Sequence, residues 1–247
     1  MFKNTYLYVM DADGSNETNL TLELDRPAGS IKWGNDNKHI YFQFDDQAVR
    51  AVGKTDLNGN MEIAAMGLGG TSLGRPYLSG GYNVGKSGLL AFTYGTDQRP
   101  ANIAIMQDDS RKMLTSLNED FLSHKDLGEV HEINYTSSID GTPIQGWYLT
   151  PPNFDPEKKY PLILEIHGGP SLAYGPGFSA EFQRFAAEGY VVFFDNHRGS
   201  SSYGEKFSML LHNKYSSEYD FADHNSGVDA MIELGFIDED NLFITGG

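Results

Sequence analysis

The most constraining stretch of the chain is an apolar run, Leu162-Ile163-Leu164-Glu165-Ile166, that ends in His167-Gly168-Gly169-Pro170. Tyr160-Pro161 introduces the run, which reads as a strand. Two consecutive glycines at a strand end let the backbone turn sharply and bring bare N–H groups within reach of a ligand. Taken alone, such a turn is also compatible with no chemistry at all, so the flanking sequence decides its meaning.

Around this turn, residues 129–247 alternate strand and helix patterns. Glu129 to Tyr135 and Pro143 to Leu149 alternate in polarity across Asp140-Gly141, which predicts an antiparallel hairpin. Pro151-Pro152 and Pro156 mark an exposed loop ahead of the strand at Leu162. Beyond a crossing rich in Gly and Pro, Phe178, Phe182 and Phe185 share one face of a helix that ends at Gly189. Tyr190 to Phe194 is continuously apolar, as expected of a strand buried on both faces of a parallel sheet. Ser217-Glu218-Tyr219-Asp220 predicts a capping box that opens a second helix, with Val228, Met231 and Ile232 toward the core and an end near Gly235. Leu242-Phe243-Ile244 is one more strand, running into Thr245-Gly246-Gly247. This order predicts a doubly wound, mostly parallel sheet.

The first 127 residues follow a different rhythm. Leu7-Tyr8-Val9-Met10 runs into an Asp11-Ala12-Asp13-Gly14 turn, Val52 to Thr55 into Asp56 to Gly59, and Ile103 to Met106 into Gln107 to Ser110. The turn aspartates Asp11, Asp56 and Asp108 are roughly 45 and roughly 52 residues apart, a period of β-propeller blades. Ile40-Tyr41-Phe42 and Leu90-Ala91-Phe92 alternate with them as a second marker. About two and a half blades fit before residue 127 and a closed ring needs at least four, so residues 1–127 read as the last blades of a propeller that begins upstream.

One motif in this half points elsewhere. Gly80-Gly81-Tyr82-Asn83-Val84-Gly85-Lys86-Ser87 satisfies the P-loop pattern for phosphate. That loop works by opening a helix whose N-terminus faces the phosphate. Here the following residues, Gly88 to Gly95, continue as a β pattern, so no nucleotide site is expected.

Composition removes further classes. With 18 Lys and Arg against 34 Asp and Glu, the net charge of −16 repels a nucleic-acid backbone. No run approaches the roughly 18 apolar residues of a membrane span, so no membrane partner is expected. The segment after Met1 lacks the h-region and cleavage site of a signal peptide, which leaves a soluble protein of undetermined compartment. The absence of cysteine excludes a thiolate nucleophile, disulfides and Cys-based metal sites. The seven histidines include no pair at metal-ligand spacing, so neither metal nor cofactor is expected.

In this order the motifs resemble the prolyl oligopeptidase family of serine peptidases, most of all its acylaminoacyl-peptidase and dipeptidyl-aminopeptidase-like branch. The resemblance is carried by Gln145-Gly146-Trp147-Tyr148-Leu149 with Pro151-Pro152, by Tyr160 through Pro170, and by Asn196-His197-Arg198-Gly199-Ser200 with Tyr203-Gly204. It continues in Gly227-Val228-Asp229 and in Asp238 through Gly247. It implies partial β-propeller blades over residues 1–127, followed by the N-terminal half of an α/β-hydrolase domain over 128–247. It further implies a serine-type peptidase that hydrolyses short peptides through an acyl-enzyme, with the propeller restricting access.

By the same resemblance Gly169 carries an oxyanion-hole N–H. His167 is structural, because the triad of that fold runs Ser, Asp, His. Arg198 and Tyr203 are architectural, Arg198 holding the loop after its strand through bidentate bonds. His197 stands where relatives often carry proline, and His224 with Asn225 where they usually carry apolar helix residues. A solvent-facing stretch of helix is expected there.

The nucleophile elbow of this fold, G-x-S-x-G, lies between a strand and a helix. Gly246 and Gly247 match its first two positions, so the serine is expected next, with the triad Asp and His beyond it. The chain alone is then expected to be inactive. Two other classes fit parts of the pattern: an α/β-hydrolase acting on esters, and a non-catalytic propeller-based interaction protein, which would need a complete ring.

Overall fold

A computed structural model describes residues 2–107, 110–169, 171–215 and 217–246. Asp108 and Asp109 of the third repeat, Pro170 of the glycine turn and Gly247 of the elbow pattern lie outside the described residues.

Asp-Gly turns organise the first half. Strands β1 (Tyr8–Val9) and β2 (Thr18–Asn19) flank the first turn, which the Gly14 N–H closes on the Asp11 carbonyl at 2.9 Å. Strands β3 (Gly29–Trp33), β4 (His39–Asp46), β5 (Val49–Asp56) and β6 (Met61–Leu68) then form an antiparallel meander. At its second turn the Asp56 carboxylate accepts from the N–H groups of Asn58 and Asn60 at 2.8 and 3.0 Å. A second meander follows in β7 (Tyr82–Val84), β8 (Leu90–Tyr94), β9 (Asn102–Gln107) and β10 (Ser110–Met113), and the β6–β8 pairing of Leu68 with Tyr94 makes the two one sheet.

The P-loop pattern is the β7–β8 hairpin, with the Gly85 N–H on the Leu89 carbonyl at 2.8 Å and no helix after it. Side chains of β4 alternate between two cores: Ile40, Phe42 and Phe44 face Leu7, Leu20 and Ala28, while Tyr41 faces Val52, Leu90 and Phe92. A sheet buried on both faces in this way is stacked between neighbours. The short helix α1 (Glu119–Leu122) ends this half.

The second half is a five-stranded sheet. In chain order its strands are β11 (Val130–Thr136), β12 (Pro143–Leu149), β13 (Tyr160–Ile166), β14 (Val191–Asn196) and β15 (Ile237–Gly246). In space the order is β11-β12-β14-β13-β15, with β13 parallel to both β14 and β15. The expected mostly parallel sheet is therefore mixed. The β11–β12 hairpin continues the sheet through an antiparallel β12–β14 pairing, so only β13, β14 and β15 make up the parallel part.

The helices form where the caps and apolar spacing place them. Ser179 caps α2 (Ala180–Ala187) by accepting the Phe182 N–H at 3.1 Å. At α4 (Glu218–Glu233) the Asp220 carboxylate reaches back to the Ser217 N–H at 2.8 Å, completing the capping box. Between them, α3 (Glu205–Ser208) is a single turn. Because successive strand residues point to opposite faces, Val192 and Phe194 pack against Phe182 and Ala186 of α2, while Val191 and Phe193 pack with Met231 of α4. One helix thus covers each face, as the winding requires.

The two halves are held together by the loop between β6 and β7. Tyr77 bridges Tyr174, Leu78 donates to the Ala173 carbonyl at 3.1 Å, and Gly175 donates to Pro76 at 2.9 Å. Arg75 from the same loop approaches Glu165 at 2.9 Å and Glu181 at 3.4 Å.

Candidate active site

The parallel strands end side by side. Ile166 of β13 pairs with Gly246 of β15, so the glycine turn after β13 starts beside the end of β15 at Thr245-Gly246. A Cβ on Gly246 would meet the Ile166 carbonyl oxygen at 2.6 Å, which restricts this position to glycine. Gly169 has φ +62°, in the left-handed region that glycine adopts without strain. The Gly168 N–H donates to the Tyr77 hydroxyl at 3.2 Å, whereas among the described residues no acceptor takes the Gly169 N–H.

His167, beside that turn, is buried and held. Its Nε2 lies 2.9 Å from the Ser200 hydroxyl, which itself donates to the His197 carbonyl at 2.6 Å. Ser200 therefore accepts here, and Nε2 carries the proton. Burial, reinforced by the neighbouring His197, pushes the imidazole pKa down to about 4, so the ring is neutral at neutral pH.

Charges are fully enclosed around the ends of β13 and β14. Glu165 is buried and accepts the Tyr174 hydroxyl at 2.6 Å, and burial pushes its carboxyl up to about 7. Arg198 is 2% exposed and clamps Asp223 with two bonds, Nε to Oδ2 at 2.8 Å and Nη2 to Oδ1 at 2.7 Å. It also grips Asp140 of the β11–β12 turn at 2.9 and 3.0 Å. Hydrogen bonds from Arg198 hold the Asp140 carboxyl well below the usual range. Tyr203 accepts from Asn196 at 2.8 Å and donates to Gln145 at 2.7 Å, tying β14 to β12. Both residues thus fix the loop after β14 to its surroundings.

The helix position of His224 departs from expectation. Rather than facing solvent, His224 is 9% exposed and its Nδ1 lies 3.0 Å from Asp195 Oδ2. Asp195, at the end of β14, supplies a partner that makes a polar side chain tolerable at a buried helix position. Tyr77 and Glu165 also escape sequence reasoning. Nothing in the Tyr77 segment marks it as a neighbour of the glycine turn 91 residues away. Glu165 lies inside an apolar strand, where one charged residue is the only sign that a buried polar contact exists.

The chain thus combines antiparallel meanders with a sheet that carries a helix on each face, its strands β13 and β15 ending side by side at Ile166 and Gly246. Its fold is that of the corresponding part of Pyrococcus horikoshii acylaminoacyl peptidase, at a TM-score of 0.82 and 24% identity over 98% of this chain and 36% of that one. Porphyromonas gingivalis dipeptidyl peptidase 4 superposes with a TM-score of 0.75 at 16% identity, over 98% of this chain and 34% of that one. The prolyl oligopeptidase family profile matches residues 176–247 of this chain. Among curated relatives, the uncharacterized peptidase YuxL of Bacillus subtilis is 37% identical over 60% of this chain and 23% of its own length. Dipeptidyl-peptidase 5 of Aspergillus oryzae is 29% identical over 99% of this chain and 33% of its own length. The chain thus spans about a quarter to a third of the length of these two relatives.

Proposed function

We propose that this chain carries part of a serine-type peptidase that hydrolyses short peptides through an acyl-enzyme, and that the Gly169 N–H is one donor of its oxyanion hole. The pairing of Ile166 with Gly246 is the observation that carries this reading. The glycine turn starts beside the strand end, Thr245-Gly246, whose sequence matches the start of a nucleophile elbow, and acyl transfer needs oxyanion donors and nucleophile about 3 Å from one reacting carbonyl. The serine of that elbow is the residue two positions after Gly246, the second donor is the N–H that follows it, and the remaining triad members lie beyond. In this reading residues 1–127 are propeller blades that restrict access, consistent with a β4 sheet buried on both faces. His167 is structural, since its Nε2 proton is committed to Ser200.

In the full-length protein, Gly169→Ala is expected to lower kcat on a peptide substrate by roughly 10²–10³-fold with little change in KM, because a φ of +62° is strained for alanine and the N–H swings away. An unchanged kcat overturns the role of Gly169. The full-length protein is also expected to be labelled by a fluorophosphonate at the serine after Gly247. Ester hydrolysis without peptide cleavage would move the reading to an esterase.

A further inference from the structure

At the end of β14, three ligand-type side chains converge that the peptidase reading does not use. Asp195, His197 and His224 are all buried, and one ligand atom from each lies within 4.8 Å of the others. His197 Nδ1 is 3.7 Å from Asp195 Oδ1, and His224 Nδ1 is 3.0 Å from Asp195 Oδ2. We propose that these three residues form a site for a divalent transition-metal ion of the zinc class.

Four observations favour a metal over a plain hydrogen-bonded cluster. First, Asp195 Oδ1 and His197 Nδ1 are both buried without a hydrogen-bond partner among the described residues, although they face each other. Buried polar atoms are rarely left this way, and 3.7 Å is too long for a bond between them. Second, one ligand atom of each of the three residues lies within 4.8 Å of the other two, close to the span of bonds near 2 Å to a single ion.

Third, the donor set of two imidazoles and a carboxylate suits zinc, cobalt or nickel rather than calcium or magnesium. The Tyr135 hydroxyl donates to Asp195 Oδ2 at 2.7 Å and leaves Oδ1 for the ion, an outer contact of the kind that orients a metal-binding carboxylate. Fourth, the ligands are already fixed in place. Arg198, next to His197, grips Asp223, next to His224, so the β14 loop and α4 are locked together one residue away on each element. His197 and His224 also line a cleft of about 440 Å³, with Tyr215 and Phe221 as walls and Glu218 and Asp220 as acidic lining.

The ligands fall outside any short spacing pattern because one pair comes from a strand end and the third from a helix 27 residues later, brought together only by the sheet winding.

The test uses the full-length protein stripped of metal by a chelator and dialysed. Calorimetry with Zn²⁺ alone is expected to show one ion per chain, and Co²⁺ alone is expected to give the intense visible bands of a four-coordinate ion. Zinc is also expected to raise the thermal midpoint. His224→Gln keeps a donor for Asp195 and His197→Gln keeps polarity, so both variants should fold. Each is expected to weaken zinc binding by roughly 100-fold or more and to abolish the cobalt bands. Absence of binding, or binding that survives in both variants, overturns the site.

Discussion

Strands β3 through β6, and again β7 through β10, pair with the next strand across a turn or short loop, whereas β13 reaches β14 and β15 only through helical crossovers. The two halves also differ in what they enclose. Among the described residues, the buried polar ones of the first half are Asn4, Thr21, Gln43, Thr55 and Asn102, none of them ionisable. Those of the second include Glu165, Asp195, Arg198 and Asp223, each 2% exposed or less. Burying a charge is costly unless it is paired, so the second half accepts a stability risk that the first avoids. The difference places the chemistry: a sheet built from neighbouring hairpins serves as scaffold, and the crossover sheet gathers distant polar groups at its strand ends.

The largest effect should come from breaking the buried pairing of the second half. Arg198→Met leaves Asp223 buried and uncompensated, and is expected to cost about 3–5 kcal/mol in chemical denaturation. Hydrogen exchange should then show the amides of β13 to β15 and α4 losing protection ahead of those of β4 and β5. Equal loss in both halves would mean that they unfold as one unit.

A smaller, pH-dependent effect should sharpen the same contrast. The folded-state pKa of Glu165 is raised from 4.5 to about 7, so folding favours its protonated form. The stability it contributes is therefore present below pH 4.5 and lost as pH rises toward 7 and above. Glu165→Gln, which mimics the protonated carboxyl, should flatten that loss, a difference of up to about 3 kcal/mol between the two ends of the window. Parallel profiles for the two proteins would show that Arg75 keeps the carboxylate ionised throughout. The smallest effect belongs to the first half: Lys86→Ala, on the exposed β7–β8 turn, should change stability by less than about 0.5 kcal/mol. Calorimetry should detect no specific ATP binding before or after that change.

These contrasts explain what a reader of the chain can and cannot see. Turns at Asp11–Gly14 and Asp56–Gly59, the Phe182 face of α2 and the Ser217–Asp220 box are local chemistry, written within a few residues. The antiparallel β12–β14 pairing is not, because nothing within β12 says which strand lies beside it. His224 shows the same limit. A histidine in a helix suggests a solvated face, and only the arrival of Asp195 from 29 residues away makes it an interior residue. Gly169 combines both cases: its left-handed turn is readable from two glycines, while its neighbour across the sheet, Gly246, depends on the winding.

The loop that carries Tyr77 gives the glycine turn a mechanical connection to the other half. Its hydroxyl occupies the Gly168 N–H, one residue from Gly169, and its ring leans on Tyr174 at 4.7 Å between centroids. Shifting this loop against the sheet therefore moves the lever that positions the turn. By thermodynamic reciprocity, a ligand on the scaffold side that favours one setting of the loop changes affinity at the turn by the same factor that a ligand at the turn changes affinity on the scaffold side.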